Sequence, residues 1–272
     1  MPPEFAAAEQ FSKYERNWIR THLAPFYVKE LIVDVVQRVK AGKEATVYIC
    51  TGHPSSERPV VAAKLYRESS LRGAKNTAEY EEGRAALAED GGERDFKTRR
   101  GSRHSGEAGG RKPARGVAAT QSSWLMHEFR LLQQLHAAGG DVPEPIEHAE
   151  QALLMEFIGD GMQAAPTLSD ITLLAGEAKP LFERVVFNIE LLLGMGWVHG
   201  DLSAYNILYH QGRVVLIDFP QVVNCKTNPK ARAIFERDVE RVAQCFSIDE
   251  RIDHARLARQ LWEKYVPKVE PQ

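Results

Sequence analysis

The spacing of apolar and polar positions divides the chain into a strand-rich first half and a helix-rich second half. "LIVDVVQRVK", "ATVYICT" and "PVVAAKLYR" are β-branched runs punctuated by "AGKE" and "GHPSSERP", which predicts three strands of an antiparallel meander. Residues 1–30 show no comparable pattern and are expected to form an extension of irregular or short helical structure. A stretch rich in Ala and Glu over about 74–90 reads as helix. From about 118 to 138 the period is helical again, with Leu125, Leu132 and Leu135 on one face and Phe129 beside them. "VPEPIEH" and "ALLMEFIG" read as two further strands, and "GDGMQAAP" as a linker. The helix "KPLFERVVFNIELLLGMG" puts Leu181, Val185, Ile189 and Leu192 on one side. "ILYHQGRVVLID" reads as a hairpin turning at His210–Arg213. "NPKARAIFERDVERVAQCF" reads as a helix with Asn228 as N-cap and Pro229 at the first helical position. This order predicts an α+β chain of two lobes, β-rich over 31–158 and α-rich over 159–272. They are joined near 157–166, with a cleft between them.

Residues 91–116 interrupt the pattern. They hold seven glycines and almost no aliphatic side chain, too little apolar surface to offset the entropy of ordering. A mobile, net basic loop is expected there. It reads first as a solvated insertion and second as a flap that meets phosphates, RNA or a ribosomal particle.

Composition narrows the setting. The chain has 272 residues, a formal net charge of -2 and three widely spaced cysteines, Cys50, Cys225 and Cys245. Near-neutral charge argues against a generic nucleic-acid or membrane binder. The cysteines suggest neither a metal site nor a disulfide framework. "MPPEFAAAEQ" does not have the layout of a signal peptide, and no apolar run approaches a membrane span, so a cytoplasmic protein with no membrane contact is expected.

The chemistry gathers in "HGDLSAYNILYHQGRVVLIDF". Asp201 and Asn206 lie five apart in a polar turn, and the hairpin after them returns Asp218 to the vicinity of Asn206. An amide oxygen beside a carboxylate suits a hard divalent cation, and Asp201 is placed to orient a hydroxyl or water. Capping of turns is the plain alternative for Asp201 and Asn206. The strand-terminal Asp218 shifts the balance toward chemistry. Lys64 lies in a strand apolar on both faces, where an ammonium is costly unless paired. Glu128, three residues after Leu125 and four before Leu132, shares their stripe and is the expected partner.

Taken together, "GKEATVY", Lys64, "VPEP", "LLMEFIG", "HGDLSAYNIL" and "IDFPQ" resemble the RIO family of atypical protein kinases, over roughly residues 30–248. The resemblance implies a two-lobed protein-kinase-like fold and a serine/threonine phosphotransferase or ATPase that uses ATP with Mg²⁺, or Mn²⁺ in its place. It assigns Asp201 as the catalytic aspartate and Asn206 and Asp218 as metal ligands. Lys64 would contact the phosphates and pair with Glu128. Gly42 and Lys43 would form the nucleotide loop, and Met155, Glu156 and Ile158 the hinge that receives adenine. It also makes Asp218 a candidate for transient phosphorylation.

Three departures from ordinary kinases stand out. The nucleotide loop has one glycine, Gly42, and Gly200 replaces the arginine that usually precedes the catalytic aspartate. Only about ten residues separate Asp218 from the next helix, so a peptide-docking activation segment does not fit. The expected acceptor is a folded protein, the chain itself or water. For autophosphorylation, Thr98, Ser102, Ser105 and Ser122 lie in or near the basic loop. Small-molecule kinases of the aminoglycoside and choline type share the His-Gly-Asp, Asn and Ile-Asp elements and are the enzymatic rival. A nucleotide-dependent ribosome-assembly switch or scaffold is the non-enzymatic one.

Overall fold

The computed structural model describes residues 10–42, 44–67, 115–174, 176–246 and 253–266, plus two short strands at 86–87 and 93–94. Lys43, residues 1–9 and nearly all of the 91–116 loop, with Thr98, Ser102 and Ser105, lie outside the described residues. The side chain of Ser122 does too.

The first part is a five-stranded antiparallel sheet. Its strands are β1 (Ile32–Ala41), β2 (Ala45–Gly52), β3 (Val60–Tyr66), β4 (Pro145–His148) and β5 (Ala152–Glu156), in the order β1-β2-β3-β5-β4. The meander of the first three strands matches the sequence reading. Period-two alternation then decides where Lys64 points. Val61, Ala63 and Leu65 belong to a core with Ile19, Leu23 and Phe26 of helix α1 (Lys13–Val28). Ala62 and Lys64 therefore face the other way, into the cleft.

Where irregular or short helical structure was expected before residue 30, α1 is a helix of 16 residues. The Ser12 side chain accepts from the Glu15 backbone N–H, and Ile19, Leu23 and Phe26, spaced four and three apart, are fully buried. Of the helix expected over about 74–90, residues 74–85 and 88–90 lie outside the described residues, and Ala86–Leu87 is a strand paired with Glu93–Arg94. The expected linker at 159–166 contains a two-residue hairpin, Gly159–Asp160 with Gln163–Ala164.

Helix α2 (Arg115–Ala137) crosses from the sheet to the larger core. Its Leu131, Leu132 and Leu135 pack with Leu181, Val185, Ile189 and Leu192 of α3 (Ala178–Gly194), as the helical stripes predict. The hairpin of β6 (Ile207–His210) and β7 (Arg213–Leu216) pairs Ile207 with Leu216 and buries Ile207, Val214 and Leu216 in the same core. Two more helices close the molecule, α4 (Ala231–Cys245) and α5 (His254–Tyr265). Helix α4 starts later than expected, with Lys230 as its cap residue. Asn228 is buried and its Oδ1 accepts from the Lys230 N–H at 2.8 Å, so it caps a turn before the helix, not the helix itself. No described helix is long and apolar enough to cross a membrane.

Candidate active site

A cleft of about 680 Å³ lies between the sheet and the helical part. At its floor the Lys64 ammonium is almost fully buried and held by two carboxylates, Glu128 Oε1 at 2.9 Å and Asp218 Oδ1 at 2.7 Å. Burial alone would lower the Lys64 pKa, but the Asp218 and Glu128 charges outweigh it and hold the ammonium well above its ordinary range. Burial would likewise raise the Asp218 carboxyl, yet the charge and hydrogen bond of Lys64 hold it below the usual carboxylate range. Tyr66, two residues along β3, donates its hydroxyl to Glu128 Oε2, so both oxygens of that buried glutamate are engaged.

The hairpin does what its spacing predicts. Ile217 N–H donates to the Asn206 carbonyl at 3.0 Å, which locks the start of β6 beside the end of β7 and puts Asp218 next to Asn206. Asp218 has φ +71°, a left-handed conformation that is uncommon outside glycine and turns its carboxylate into the cleft. The Asn206 amide nitrogen donates to the Asp201 carbonyl at 2.9 Å and sits 3.4 Å from Asp201 Oδ2. This fixes the amide orientation and leaves Asn206 Oδ1, like Asp218 Oδ2, without a hydrogen bond among the described residues. Two hard oxygens at the cleft wall fit Mg²⁺, which takes few protein ligands and fills its shell from water and phosphate. Among the described residues no cluster of three or more His, Cys, Asp or Glu forms a metal cage.

Asp201, Asn206, Asp218, Lys64, Glu128, Gly42, Met155, Glu156 and Ile158 all line the same cleft. Lys43 lies outside the described residues. At the hinge the Glu156 N–H is committed to the Glu144 carbonyl at 2.8 Å, and the Ile158 carbonyl accepts from Ala165 N–H at 3.0 Å. Among the described residues the Ile158 N–H and the Glu156 carbonyl are left without a hydrogen-bond partner and can receive a planar ligand.

Sequence reasoning missed several residues around the site. Asp238 of α4 is buried and its Oδ2 accepts the Gly200 N–H at 2.8 Å, while Arg237 donates to the Gly200 carbonyl. Burial raises the Asp238 carboxyl. The signal was present: Asp238 stands four residues from both Ile234 and Val242, inside the apolar stripe, just as Glu128 does in its helix. His199 is buried, and burial pushes its imidazole down. Its Nδ1 accepts from the Asp201 N–H at 3.4 Å, so its Nε2 is the donor toward the Ile217 carbonyl at 3.2 Å. Gln221 donates to Glu44 at 2.7 Å across the cleft mouth. Arg241 reaches Asp201 from α4.

A family model described as the RIO domain matches residues 89–256, well over half of the chain. The chain belongs to the RIO family. Its RIO relatives include serine/threonine-protein kinase rio1 of Schizosaccharomyces pombe, 33% identical over 210 residues, covering 76% of this chain and 37% of that protein. The RIO-type serine/threonine-protein kinase Rio1 of Haloferax volcanii is 35% identical over 124 residues, 46% of this chain and 42% of that protein. Thus the chain spans about two fifths of the length of these curated relatives. Among solved structures, the Rio2 kinase–ADP/Mg²⁺–phosphoaspartate complex of Chaetomium thermophilum superposes with a TM-score of 0.60 at 18% identity, over 93% of this chain and 70% of that one. The architecture is the RIO form of the two-lobed kinase fold, a β-sheet region and a helical region with the cleft between. The RIO domain match begins beyond Lys64, so for the nucleotide loop and β3 it is the geometry of the cleft that speaks.

Proposed function

We propose that the chain is an Mg·ATP-dependent phosphotransferase of the atypical serine/threonine kinase type. It passes the γ-phosphate to a hydroxyl of a folded protein, to its own chain or to water. One observation carries this reading: a buried ammonium is pinned between Glu128 and Asp218 and faces Asp201 and Asn206 across one cleft. The names of its relatives and the ADP and Mg²⁺ of its Rio2 neighbour support it. The two lobes are taken as 31–158 and 159–272, with 1–30 as an extension.

The roles follow from the chemistry of each group. Lys64 places positive charge on the nucleotide phosphates, and Glu128 with Tyr66 holds it there. Asn206 Oδ1 and Asp218 Oδ2 would hold the cation, which supplies neutralisation of phosphate charge when bound. The Ile158 N–H and the Glu156 carbonyl would receive adenine, and Gly42 lets the loop approach the phosphates. Asp201 orients the acceptor and takes its proton. A hydroxyl acceptor gains the phosphoryl group as the bond to ADP breaks. If an Asp218 oxygen attacks instead, the same bond breaks, an acyl phosphate forms, and water later releases phosphate.

The chain joins Phe219 to α4 through one short strand and a turn, Val223–Asn224 and Cys225–Thr227, with no room for a peptide-docking segment. This favours a folded acceptor or water over an extended peptide. The family match favours this reading over the aminoglycoside or choline type of kinase. Contact with RNA or a ribosomal particle through 91–116 is a further proposal, resting on that segment's basic composition alone.

The test is incubation of the full chain with γ-labelled ATP, with and without Mg²⁺. Label on protein or in free phosphate must depend on the cation. Protein label that withstands hydroxylamine reports a hydroxyl phosphate, and label released by hydroxylamine reports an aspartyl phosphate. No cation-dependent ATP consumption, or saturable transfer to an aminoglycoside, would overturn the proposal.

A further inference from the structure

Both oxygens of the Asp201 carboxylate have partners. Oδ2 faces the Asn206 amide at 3.4 Å, and Oδ1 is paired with Arg241 Nη1 at 3.1 Å. Asn206 and Asp201 come from one loop, but Arg241 comes from the last two turns of α4. The same helix grips the loop at three neighbouring points: Arg237 and Asp238 take the Gly200 carbonyl and N–H, and Arg241 takes the Asp201 carboxylate. These fall at i, i+1 and i+4, one face of a helix. The first two bind backbone and hold the loop in place. Only Arg241 touches the carboxylate that would do chemistry.

A cation cannot come from the position just before Asp201. Gly200 has φ +87°, and a Cβ there would stand 2.0 Å from the Gln221 carbonyl oxygen. Any side chain at 200, an arginine included, is excluded by backbone. The guanidinium therefore arrives from outside the loop.

We infer that Arg241 is a positioning residue for Asp201, fixing the rotamer of its carboxylate so that Oδ2 is presented to the acceptor. This rests on the catalytic role proposed above for Asp201. The energetics separate positioning from stability. The two side chains are 42% and 51% exposed, and an ion pair so open to water contributes little to folding. Its rotamer control bears directly on the acceptor, where a displacement of about 1 Å costs on the order of a hundredfold in rate.

The experiment compares full-length wild type, Arg241→Ala and Arg241→Lys, each with matched measurements of Tm, of KM for ATP and of kcat under saturating Mg·ATP. The expected result is a kcat loss of roughly ten- to a hundredfold in Arg241→Ala, with KM for ATP and Tm nearly unchanged. Arg241→Lys recovers part of the loss, and millimolar methylguanidine restores part of it in Arg241→Ala but not in wild type. Unchanged kcat in Arg241→Ala would overturn the inference, as would a kcat loss that tracks a fall in Tm and ignores methylguanidine. NMR of the arginine side-chain N–H groups separates this from failure of the functional reading. A slowly exchanging Arg241 signal must be lost in Asp201→Asn, and a signal indifferent to that change contradicts the contact whether or not the chain turns over ATP. Conversely, an intact contact in a protein that consumes no ATP refutes the kinase reading, and with it the positioning role of Arg241, while leaving the contact itself in place.

Discussion

Lys64 would be one of the costliest residues in the molecule if it stood alone. An unpaired buried ammonium would lose its proton or unfold its surroundings, and removing one partner of a buried pair costs several kcal/mol in general. Two carboxylates solve this, but they do different work. Glu128 is buried and bonded on both oxygens, so it is an anchor, whereas Asp218 opens onto the cleft with one oxygen uncommitted. Asp218→Asn is thus expected to abolish Mg²⁺-dependent ATP turnover, because it removes a proposed metal ligand and half of the charge facing Lys64; turnover assays against a cation series check this. Asp201→Asn should keep nucleotide affinity and lower phosphoryl transfer by about 10²–10⁴-fold, read from kcat at saturating ATP. Tyr66→Phe should destabilise by about 1–3 kcal/mol by leaving a buried carboxylate oxygen unpaired, read from denaturant unfolding.

The pairing of Lys64 and Glu128 was legible in the sequence because a charge inside an apolar stripe demands a partner. The same rule applied to Asp238 would have found the anchor of Gly200. Arg241 was not legible: it sits on a partly exposed position of a charged helix, and only the fold brings it to Asp201. His199 gives the site a pH signature. Its imidazole is neutral in the folded state because burial lowers its pKa, whereas in the unfolded chain it protonates below about 6.5. The unfolded state then binds the extra proton, so stability is complete above that pH and falls as pH drops toward the folded value. His199→Gln should flatten this part of the stability–pH curve, measured by denaturant midpoints from pH 7.5 to 5.

At the scale of elements, helix α4 and the 199–201 turn form one unit. The left-handed Gly200 and its approach to Gln221 mean that Gly200→Ala must shift backbone, and a loss of stability of about 1–3 kcal/mol or more is expected, with a fall in activity, by thermal unfolding and turnover. The strands and the long helices were readable from periodicity, since each buries a regular stripe. Helix α1 was legible only as irregular or short helical structure although its cues, Ser12 with Glu15 and then Ile19, Leu23 and Phe26, are in the sequence; Pro25 and the polar residues between them mask a narrow stripe. The start of α4 was misplaced because Asn228 and Pro229 look like a cap and first turn, while the buried Asn228 spends its side chain on a tight turn first. Neither error moves a candidate site residue, because the 199–206 turn is held by the β6–β7 ladder and by α4's middle.

For the molecule as a whole, two cores meet across the cleft, one built on the sheet and α1, the other on α2, α3, the β6–β7 hairpin, α4 and α5. Polar contacts bridge them: Lys64 to Asp218, Gln221 to Glu44, and Gln37 to the Met162 carbonyl. A nucleotide bound between the lobes should stabilise both together, by about 2.7 kcal/mol at a hundred times its Kd. In the proposed function Lys64, Asn206 and Asp218 make one site for a single Mg·ATP. Calorimetric titration of Mg·ATP into wild type, Lys64→Ala and Asp218→Asn tests it directly. One saturable site is expected in wild type, lost with EDTA and weakened by at least tenfold in each variant. Equal affinity in all three proteins, or binding indifferent to the cation, would contradict it.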